Sequence, residues 1–422
     1  MAAGRRNRPA PGRRAGAGLP NVYEKLGLRP VVNANGPMTR LGGGIMAPAV
    51  AEAMREATQH CVDMPELQAS ASRIIAEVTG AEAGIVTSGA SAAILLGTAA
   101  CITGLDAAKM DLLPDATGMV NEVIVVRSQR NSYDHAVRAA GAKLIEVGLS
   151  DRHAGTGARD AERWEIAAAM SERTAAVYYL AKPHSRPSLA EVASAAHKAG
   201  VPVLVDAAAE LPPAANLRRF ISEGADLVAF SGGKAIGGPQ GSGILCGRRK
   251  LIATALLQQL DLDYGAEEWR PPREFFDKRV LSGLPRHGLG RSCKVGKEQI
   301  VGLLTALKIF AAETEAARRH RLTLTAEGLA AALARLPWLS ARVMPDPEGS
   351  GLPVVEIDLA GGRAGLTGTE LIKRLRSGQP RVEINPWQAP HGPMILSVTC
   401  LREGDPKIIA KRFSEILRRK TG

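Results

Sequence analysis

The sequence predicts an α/β protein: a large domain on a mostly parallel, doubly wound sheet, then a smaller C-terminal α+β domain. Its 422 residues, 45% of them apolar, can bury a large core, and at roughly 150 residues per domain they predict two or three domains. Short apolar runs alternate with helical patterns between residues 66 and 255, which favours buried parallel strands. The charged fraction of 23% is ordinary for globular proteins and excludes a wholly disordered chain, a collagen and a coiled coil.

The strands predicted for the large sheet are short runs rich in Val, Ile and Leu. They lie at residues 84–87, 122–126, 142–147, 175–180, 201–205, 226–230 and 243–246. Helical patterns separate most of them, and we expect Gly80, Gly141 and Gly200 to end three of these helices. Ser188 and Glu191 have the spacing of a capping box, which predicts the start of the helix that ends at Gly200.

The pattern changes after residue 262. Residues 264–290 are rich in Pro, Gly, Arg and aromatic residues, which predicts a long irregular connection of the kind that is often functional. Beyond it we predict helices at 297–313, 315–336 and 367–376, strands at 354–359, 381–384 and 394–399, and a final amphipathic helix. These elements predict a small α+β domain.

Four segments follow from this organisation. Residues 1–20 are predicted to be a disordered basic tail, and residues 21–60 an N-terminal arm with an active-site loop. Residues 61–290 are predicted to form the large domain, and residues 291–422 the small one. We find no internal repeat.

The positive charge is concentrated at the two ends of the chain. The net charge is +12; residues 1–20 contribute five arginines and no acid, and residues 402–422 contribute +4, which leaves about +3 between them. A nearly balanced body argues against a nucleic-acid groove, although the tail could instead be a polyanion-binding arm. The first twenty residues lack the apolar run of a secretory signal, and the longest nearly apolar stretch, residues 92–105, is too short to span a membrane. Five scattered cysteines without metal-ligand spacing predict reduced thiols in the cytoplasm and no metal site.

Three motifs follow predicted strands, where open α/β sheets bind ligands. Ser88-Gly89-Ala90 opens a helix and can cradle a phosphate, although such turns are often only helix caps. Asp206 ends an apolar strand, so its carboxylate needs a cation or donor opposite it, unless it is only a structural cap. Lys234 lies among four glycines, and a desolvated lysine amine is a candidate Schiff-base nucleophile; a solvated lysine in a flexible loop is the alternative.

The order of these motifs resembles that of fold-type-I enzymes that use pyridoxal 5′-phosphate (PLP). Nearly the whole chain is similar to the selenocysteine-synthase-like (L-seryl-tRNA(Sec) selenium transferase-related) branch, and within it to D-glucosaminate-6-phosphate ammonia-lyase-like proteins. The segments that carry the resemblance are VVNANGPMTRLGGG, VTSGASAAILLGTAACI, LPDATGMVNEVIVVRSQRNSYDHAVRAAGAKLIEVG, FSGGKAIGGPQGSGIL and KVGKEQIVGLLTAL.

The resemblance implies roles for residues around the cofactor ring. Lys234 would bond covalently to the PLP aldehyde and later move the substrate α-proton. Asp206 would keep the ring nitrogen protonated, and Ala208 would pack against one ring face. Family members often carry a histidine on the other face; Gln129 stands at that place here, which leaves the stacking residue open between Gln129 and the segment through His135.

Backbone and hydroxyl groups would hold the cofactor phosphate. The resemblance implies Ser88, Gly89 and Ala90 for this role, aided by Ser231. The turn that begins at Gly238 is expected to border the same phosphate, from the same or a neighbouring subunit.

Substrate contacts are expected from the N-terminal arm and from the entry to the small domain. Relatives bring the arm to the active site, so Asn35, Thr39 and Arg40 are candidate ligands. Arg291 is our choice for the substrate carboxylate because guanidinium groups bind carboxylates in bidentate fashion, the alternative being a solvated basic connection. His184, with Arg186 at the same sheet edge, is more typical of a hydrogen-bonded loop residue than of an acid catalyst.

The resemblance implies a PLP-dependent ammonia-lyase. We expect β-elimination from a 2-amino-3-hydroxy acid, such as an amino-sugar acid, to give a 2-keto acid and ammonia. Racemisation or aldol cleavage would share the early steps, and selenium transfer to seryl-tRNA(Sec) is the second alternative. The selenium transferases have a folded N-terminal domain for tRNA where this sequence has only a short tail, so tRNA binding is not expected. A non-catalytic cofactor-binding protein is the remaining class, and a homo-oligomer, a dimer or larger even assembly, is expected.

Overall fold

The protein is described by a computed structural model. It describes residues 21–149, 160–263, 268–276, 281, 283–347, 349–359, 366–386, 389 and 392–418. The predicted basic tail at residues 1–20 lies outside the described residues. The chain divides into two compact units. The first contains the described parts of residues 1–35, 325–343 and 355–422, and the second those of residues 36–324 and 344–354.

Ten of the twelve described strands lie where the sequence predicted them, within a few residues; those at residues 31–34 and 339–345 were not predicted. They are β1 Val31–Ala34, β2 Ala83–Thr87, β3 Glu122–Val126, β4 Lys143–Val147, β5 Thr174–Leu180, β6 Val203–Asp206, β7 Leu227–Ser231, β8 Gly243–Gly247, β9 Leu339–Pro345, β10 Pro353–Leu359, β11 Arg381–Ile384 and β12 Met394–Ser397. Asp206 is therefore the last residue of its strand, one residue beyond the apolar run predicted at 201–205.

The helices follow the predicted alternation. They are α1 Val22–Lys25, α2 Pro48–Ala57, α3 Met64–Thr79, α4 Ala90–Thr103, α5 Ala107–Leu112, α6 His135–Ala139, α7 Arg163–Ala168, α8 Leu189–Lys198, α9 Asn216–Ser222, α10 Arg249–Gln259, α11 Lys297–Ala312, α12 Glu315–Ala334, α13 Gly368–Ser377 and α14 Asp405–Arg418. The predicted capping box is present at the start of α8, where the Ser188 hydroxyl accepts from the Glu191 N–H. Among these described helices, none is long and apolar enough to cross a membrane.

The second unit is built on a sheet of seven described strands in the order β2-β8-β7-β6-β5-β3-β4. The pairs from β7 to β4 are parallel, as predicted, whereas β8 is antiparallel to both β7 and β2. The expectation that residues 243–246 continue the parallel series was wrong. Only eleven residues connect β7 to β8, which is too short for the crossover helix that a parallel connection needs. The connection therefore returns as a loop, and this loop carries Lys234.

Two hydrophobic clusters cover the two faces of this sheet. Side chains alternate between the faces along each strand, so Val203 and Val205 join one cluster, and Leu204 joins the other with Leu227 and Ala229. Helix α4 packs on the face of Leu204, since a Cβ added to Gly97 would lie 3.1 Å from a Leu204 methyl group. The sheet is thus buried on both sides, which fits the continuous apolar runs in its strands.

The first unit contains one small sheet and most of a second. Strand β1 pairs in parallel with β11, and β12, β10 and β9 form a three-stranded sheet in that order. The amphipathic helices α13 and α14 each bury one face, as the final helix was predicted to do.

Candidate active site

Asp206 is a buried carboxylate at the carboxyl end of the central strand β6. Its side chain is only 4% exposed, and two donors hold it. The backbone N–H of Ala208 donates to Oδ1 at 3.0 Å, and the Tyr178 hydroxyl donates to Oδ2 at 2.9 Å. Each carboxylate oxygen can accept a further hydrogen bond, so the two donors offset part of the burial cost and leave capacity for a ligand.

Lys234 follows β7, the neighbouring strand of the sheet. Burial lowers the pKa of its amine below the ordinary lysine value, and the positive charge of Lys182 acts in the same direction. The negative charges of Asp206 and Glu210 oppose this shift. Lys234 and Asp206 are therefore close enough to interact electrostatically, as the predicted cofactor site requires.

The glycines around Lys234 let the loop fold back on itself. The Gly232 N–H donates to the Ser242 carbonyl at 2.9 Å, and the Gly238 N–H donates to the Gly232 carbonyl at 2.9 Å. A Cβ at Gly233 would lie 2.6 Å from the Gln240 Cα, which is closer than real atoms approach. At Gly232 and Gly233, Ser242 and Gln240 of the same loop therefore exclude a side chain.

The turn between β2 and α4 leaves the start of the helix open. Gly89 has φ +143°, in the region that favours glycine, and no side chain among the described residues caps the first turn of α4. The Ser88 hydroxyl donates to the Cys293 carbonyl at 3.0 Å. A Cβ at Gly243 would lie 2.5 Å from the carbonyl carbon of Gly89, so the start of β8 packs directly against this turn. The free N–H groups of such a helix start can bind an anion.

Strand register places these groups on one face of the sheet. Leu180 pairs with Asp206 and Asp206 pairs with Ala229, so alternation puts Tyr178, Asp206 and Ser231 on the face that α4 covers. The structure thus brings together the acid, the lysine loop and the helix start that the sequence predicted separately.

Gln129 is held by backbone groups at the end of β5. It is 4% exposed, its Oε1 accepts from the Leu180 N–H at 3.0 Å, and its Nε2 donates to the Arg186 carbonyl at 3.5 Å. His135, the other candidate for ring stacking, is exposed, and its Nδ1 lies 3.0 Å from the Arg138 guanidinium.

The four candidate substrate ligands lie in different surroundings. Thr39 lies at the lysine loop, since its hydroxyl accepts from the Gln240 amide at 3.1 Å. Arg40 is exposed one residue further on. Arg291 forms an ion pair with Asp261 at 2.9 Å, so part of its fork is already engaged. Asn35 belongs to the first unit, where its amide nitrogen is buried without a hydrogen-bond partner among the described atoms.

Sequence reasoning missed three residues at this site: Tyr178, Lys182 and Glu210. Tyr178 binds the Asp206 carboxylate, and the Lys182 amine lies 3.1 Å from a Glu210 oxygen within electrostatic range of Lys234. Tyr178 lies two residues before Leu180, which pairs with Asp206, so the side chains of Tyr178 and Asp206 point to the same face of the sheet. This relation depends on the register of the two strands, which is visible only in the structure.

The residues present fit PLP. A desolvated amine suits an aldehyde, a buried carboxylate with remaining acceptor capacity suits a protonated ring nitrogen, and an uncapped helix start suits a phosphate. The mostly parallel sheet with these three groups at its edge defines a fold-type-I PLP-dependent enzyme. The family model described as L-seryl-tRNA selenium transferase (SelA) matches residues 31–263, and that of class-V aminotransferases matches residues 165–374. The chain belongs to the SelA family.

Two relatives align with almost the whole chain. D-glucosaminate-6-phosphate ammonia lyase of Salmonella typhimurium is 31% identical over 94% of this chain and 98% of its own length. A 5′-C-glycyluridine monooxygenase-decarboxylase of a Streptomyces species is 31% identical over 94% of this chain and 92% of its own length. The solved structure of a D-glucosaminate-6-phosphate ammonia-lyase superposes with a TM-score of 0.80 at 30% identity, and the match covers 96% of this chain and 100% of that one.

Proposed function

We propose that this protein is a PLP-dependent ammonia-lyase acting on a 2-amino-3-hydroxy acid, such as an amino-sugar acid. The observation that carries the proposal is the partly buried Lys234 amine, whose pKa is lowered, within electrostatic range of Asp206. The full-length similarity to D-glucosaminate-6-phosphate ammonia lyase supports the choice of reaction.

The reaction balances as a net loss of ammonia. The substrate loses its α-proton and its β-hydroxyl as water, and the resulting 2-enamine takes up water and releases ammonia as it becomes a 2-keto acid. PLP, when bound, supplies the electron sink that makes the α-proton acidic. A lysine whose pKa is lowered is more often neutral near pH 7, so Lys234 is suited to accept that proton.

The remaining residues would hold the cofactor. Asp206, from its buried position, would keep the ring nitrogen protonated, and Ala208 and Gln129 would border the ring. Ser88, Gly89, Ala90, Ser231 and Gly238, at the start of α4 and in the lysine loop, would hold the phosphate.

We assign the substrate contacts to Asn35, Thr39 and Arg40 of the N-terminal arm and to the basic connection before α11. Thr39, adjacent to Gln240, and the exposed Arg40 are placed to meet polar groups of a hydroxy acid. Arg291 would exchange its ion pair with Asp261 for the substrate carboxylate. Asn35 is retained as a ligand because its buried amide nitrogen still needs an acceptor.

We place the enzyme in the cytoplasm as a homo-oligomer. The scattered free cysteines fit a reducing compartment. Val22, Tyr23, Leu26 and Leu28 are each more than half exposed, and such apolar clusters favour contact with another chain. Sedimentation equilibrium would measure the assembly.

The test is replacement of the lysine. Lys234→Ala should abolish ammonia release from D- and L-3-hydroxy amino acids and amino-sugar acids, and should remove the yellow colour of the bound cofactor. Borohydride reduction of the wild type should attach the cofactor to the peptide that contains Lys234. Lys198→Ala, an exposed lysine at the end of α8, is the matched control and should retain colour and turnover.

Three results would contradict the proposal. A coloured wild type that consumes oxygen and releases no ammonia anaerobically would instead favour an oxygen-dependent reaction, as named for the Streptomyces relative. Product formation without ammonia would favour racemisation or aldol cleavage. Salt-sensitive retention of tRNA that is lost on deleting residues 1–20 would favour selenium transfer.

A further inference from the structure

The Tyr178 hydroxyl forms a buried hydrogen bond with Asp206 that none of the steps above uses. Tyr178 is 1% exposed and Asp206 4% exposed, and the two oxygens are 2.9 Å apart. Burial, and then the negative charge of Asp206, raise the pKa of the Tyr178 hydroxyl well above its ordinary value. The hydroxyl is therefore protonated at physiological pH and donates to the carboxylate.

This contact fixes the carboxylate from a second direction. Oδ1 is held by the Ala208 N–H from the turn after β6, whereas Oδ2 is held by Tyr178 from the neighbouring strand β5. Donors on both oxygens restrict rotation of the carboxylate about its terminal bond, which is otherwise broadly distributed. The side chain of Asn131 lies close enough to the Tyr178 hydroxyl to oppose this rise in its pKa, and its amide donates to the Gln129 carbonyl at 3.2 Å.

We propose that Tyr178 is a positioning residue for the cofactor. It holds the Asp206 carboxylate at a fixed orientation in the pocket, and this orientation sets how strongly the protein stabilises a proton on the ring nitrogen. The inference rests on the proposed role of Asp206 at that nitrogen, and it does not depend on which reaction follows.

The next residue of β5 offers a matched control. Tyr179 is also buried, at 5% exposure, but it points to the opposite face of the sheet, where its hydroxyl donates to the Pro187 carbonyl at 3.3 Å. Tyr178→Phe and Tyr179→Phe therefore remove one buried hydroxyl each from adjacent positions, and only the first removes a donor from Asp206.

The experiment measures PLP binding to the apoprotein and the pH titration of the visible absorption of the bound cofactor. Tyr178→Phe should weaken PLP binding by about 10- to 100-fold, the effect of losing a hydrogen bond to a charged group. It should also move the midpoint of the spectral titration to higher pH, because the visible band follows the proton on the lysine–cofactor imine, and that imine becomes more basic when the ring nitrogen is less firmly protonated. The turnover number should fall while the substrate KM changes little. Tyr179→Phe should leave the affinity and the midpoint unchanged.

A double-mutant cycle separates positioning from packing. In an Asp206→Asn background, Tyr178→Phe should change PLP affinity less than twofold. An equal loss of affinity in both backgrounds, or equal effects of Tyr178→Phe and Tyr179→Phe, would overturn the proposal.

Two further arms keep the proposal testable. If Tyr178→Phe does not fold, Asn131→Ala should move both readouts in the same direction by a smaller factor, and unchanged readouts in that variant would overturn the proposal. Cofactor affinity and spectrum are measured without substrate. A wild type that binds PLP but releases no ammonia therefore refutes the proposed reaction while leaving this test intact.

Discussion

Burial and three charged side chains set the reactivity of Lys234. Burial and Lys182 lower its pKa, while Asp206 and Glu210 raise it. Lys182 and Glu210 also pair with each other at 3.1 Å, so their influence on Lys234 largely cancels. Replacing either residue leaves the charge of the other uncompensated, so the direction in which the pKa of Lys234 moves is known.

We therefore predict opposite pH shifts for two single-residue variants. Lys182→Ala removes a positive charge that lowers the pKa of Lys234, so the pKa rises and PLP capture by the apoprotein reaches its half-maximal rate at higher pH. Glu210→Gln removes a negative charge, so the same midpoint moves to lower pH. The rate of colour formation is measured against pH, with Lys198→Ala as the control. Shifts of the same sign in both variants would contradict this account of Lys234.

Single residues could be singled out from the sequence where few residue types suit the required chemistry. A carboxylate at the end of an apolar strand and a lysine among glycines are unusual in any surface loop, so the sequence singles out Asp206 and Lys234 as candidates. Tyr178 resembled an ordinary core aromatic residue, because its partner lies on another strand 28 residues further along the chain. Contacts of this kind depend on strand register, which the sequence does not display.

At the scale of elements, the turn before α4 and the start of β8 are packed backbone to backbone. Gly243 faces Gly89 so closely that an added Cβ would lie 2.5 Å from its carbonyl carbon and 2.7 Å from the Ala90 nitrogen. Backbone atoms cannot move aside as a flexible side chain can. The geometry of the helix start thus depends on the strand beside it.

We predict that Gly243→Ala destabilises the protein by about 1–3 kcal/mol, the usual cost of overpacking. It should also weaken PLP binding, because displacing Gly89 moves the N–H groups of the helix start. Gly241→Ala is the control: no atom lies within 4 Å of a Cβ added there, so stability should change by less than about 0.5 kcal/mol. Urea unfolding of the apoproteins and PLP titration give the two values. Equal stability of the two variants would show that the packing is not tight.

The directions of the strands were less predictable than their positions. Apolar runs located the strands because burial on both faces demands them, and a buried antiparallel strand between two neighbours requires the same composition as a parallel one. Residues 243–246 were therefore placed correctly and given the wrong direction. The length of the connection from β7, eleven residues, was the available signal.

At the scale of the whole molecule, the confirmed family assignment and the charge distribution depend on different parts of the chain. The three cofactor motifs, at Ser88-Gly89-Ala90, Asp206 and Lys234, lie within residues 36–324. The charge of +12 lies mainly in terminal segments, one of them outside the described residues. Similarity of sequence does not choose a single reaction, because two full-length relatives at 31% identity have names that describe different chemistry. The contacts that the site makes with its substrate must therefore determine which reaction takes place.

The location of the cofactor residues predicts where PLP stabilises the molecule. Asp206, Lys234 and the start of α4 all belong to the second unit, so a ligand that binds only the folded site should protect that unit against opening. At a free concentration 100 times its dissociation constant, PLP contributes about 2.7 kcal/mol of stability. Hydrogen exchange of the apoprotein and the PLP-bound protein should therefore slow by up to about 100-fold in β5, β6, β7 and α4. The three-stranded sheet of the first unit should change much less. Equal protection of both units would show that they open together, and protection confined to the first unit would contradict the site.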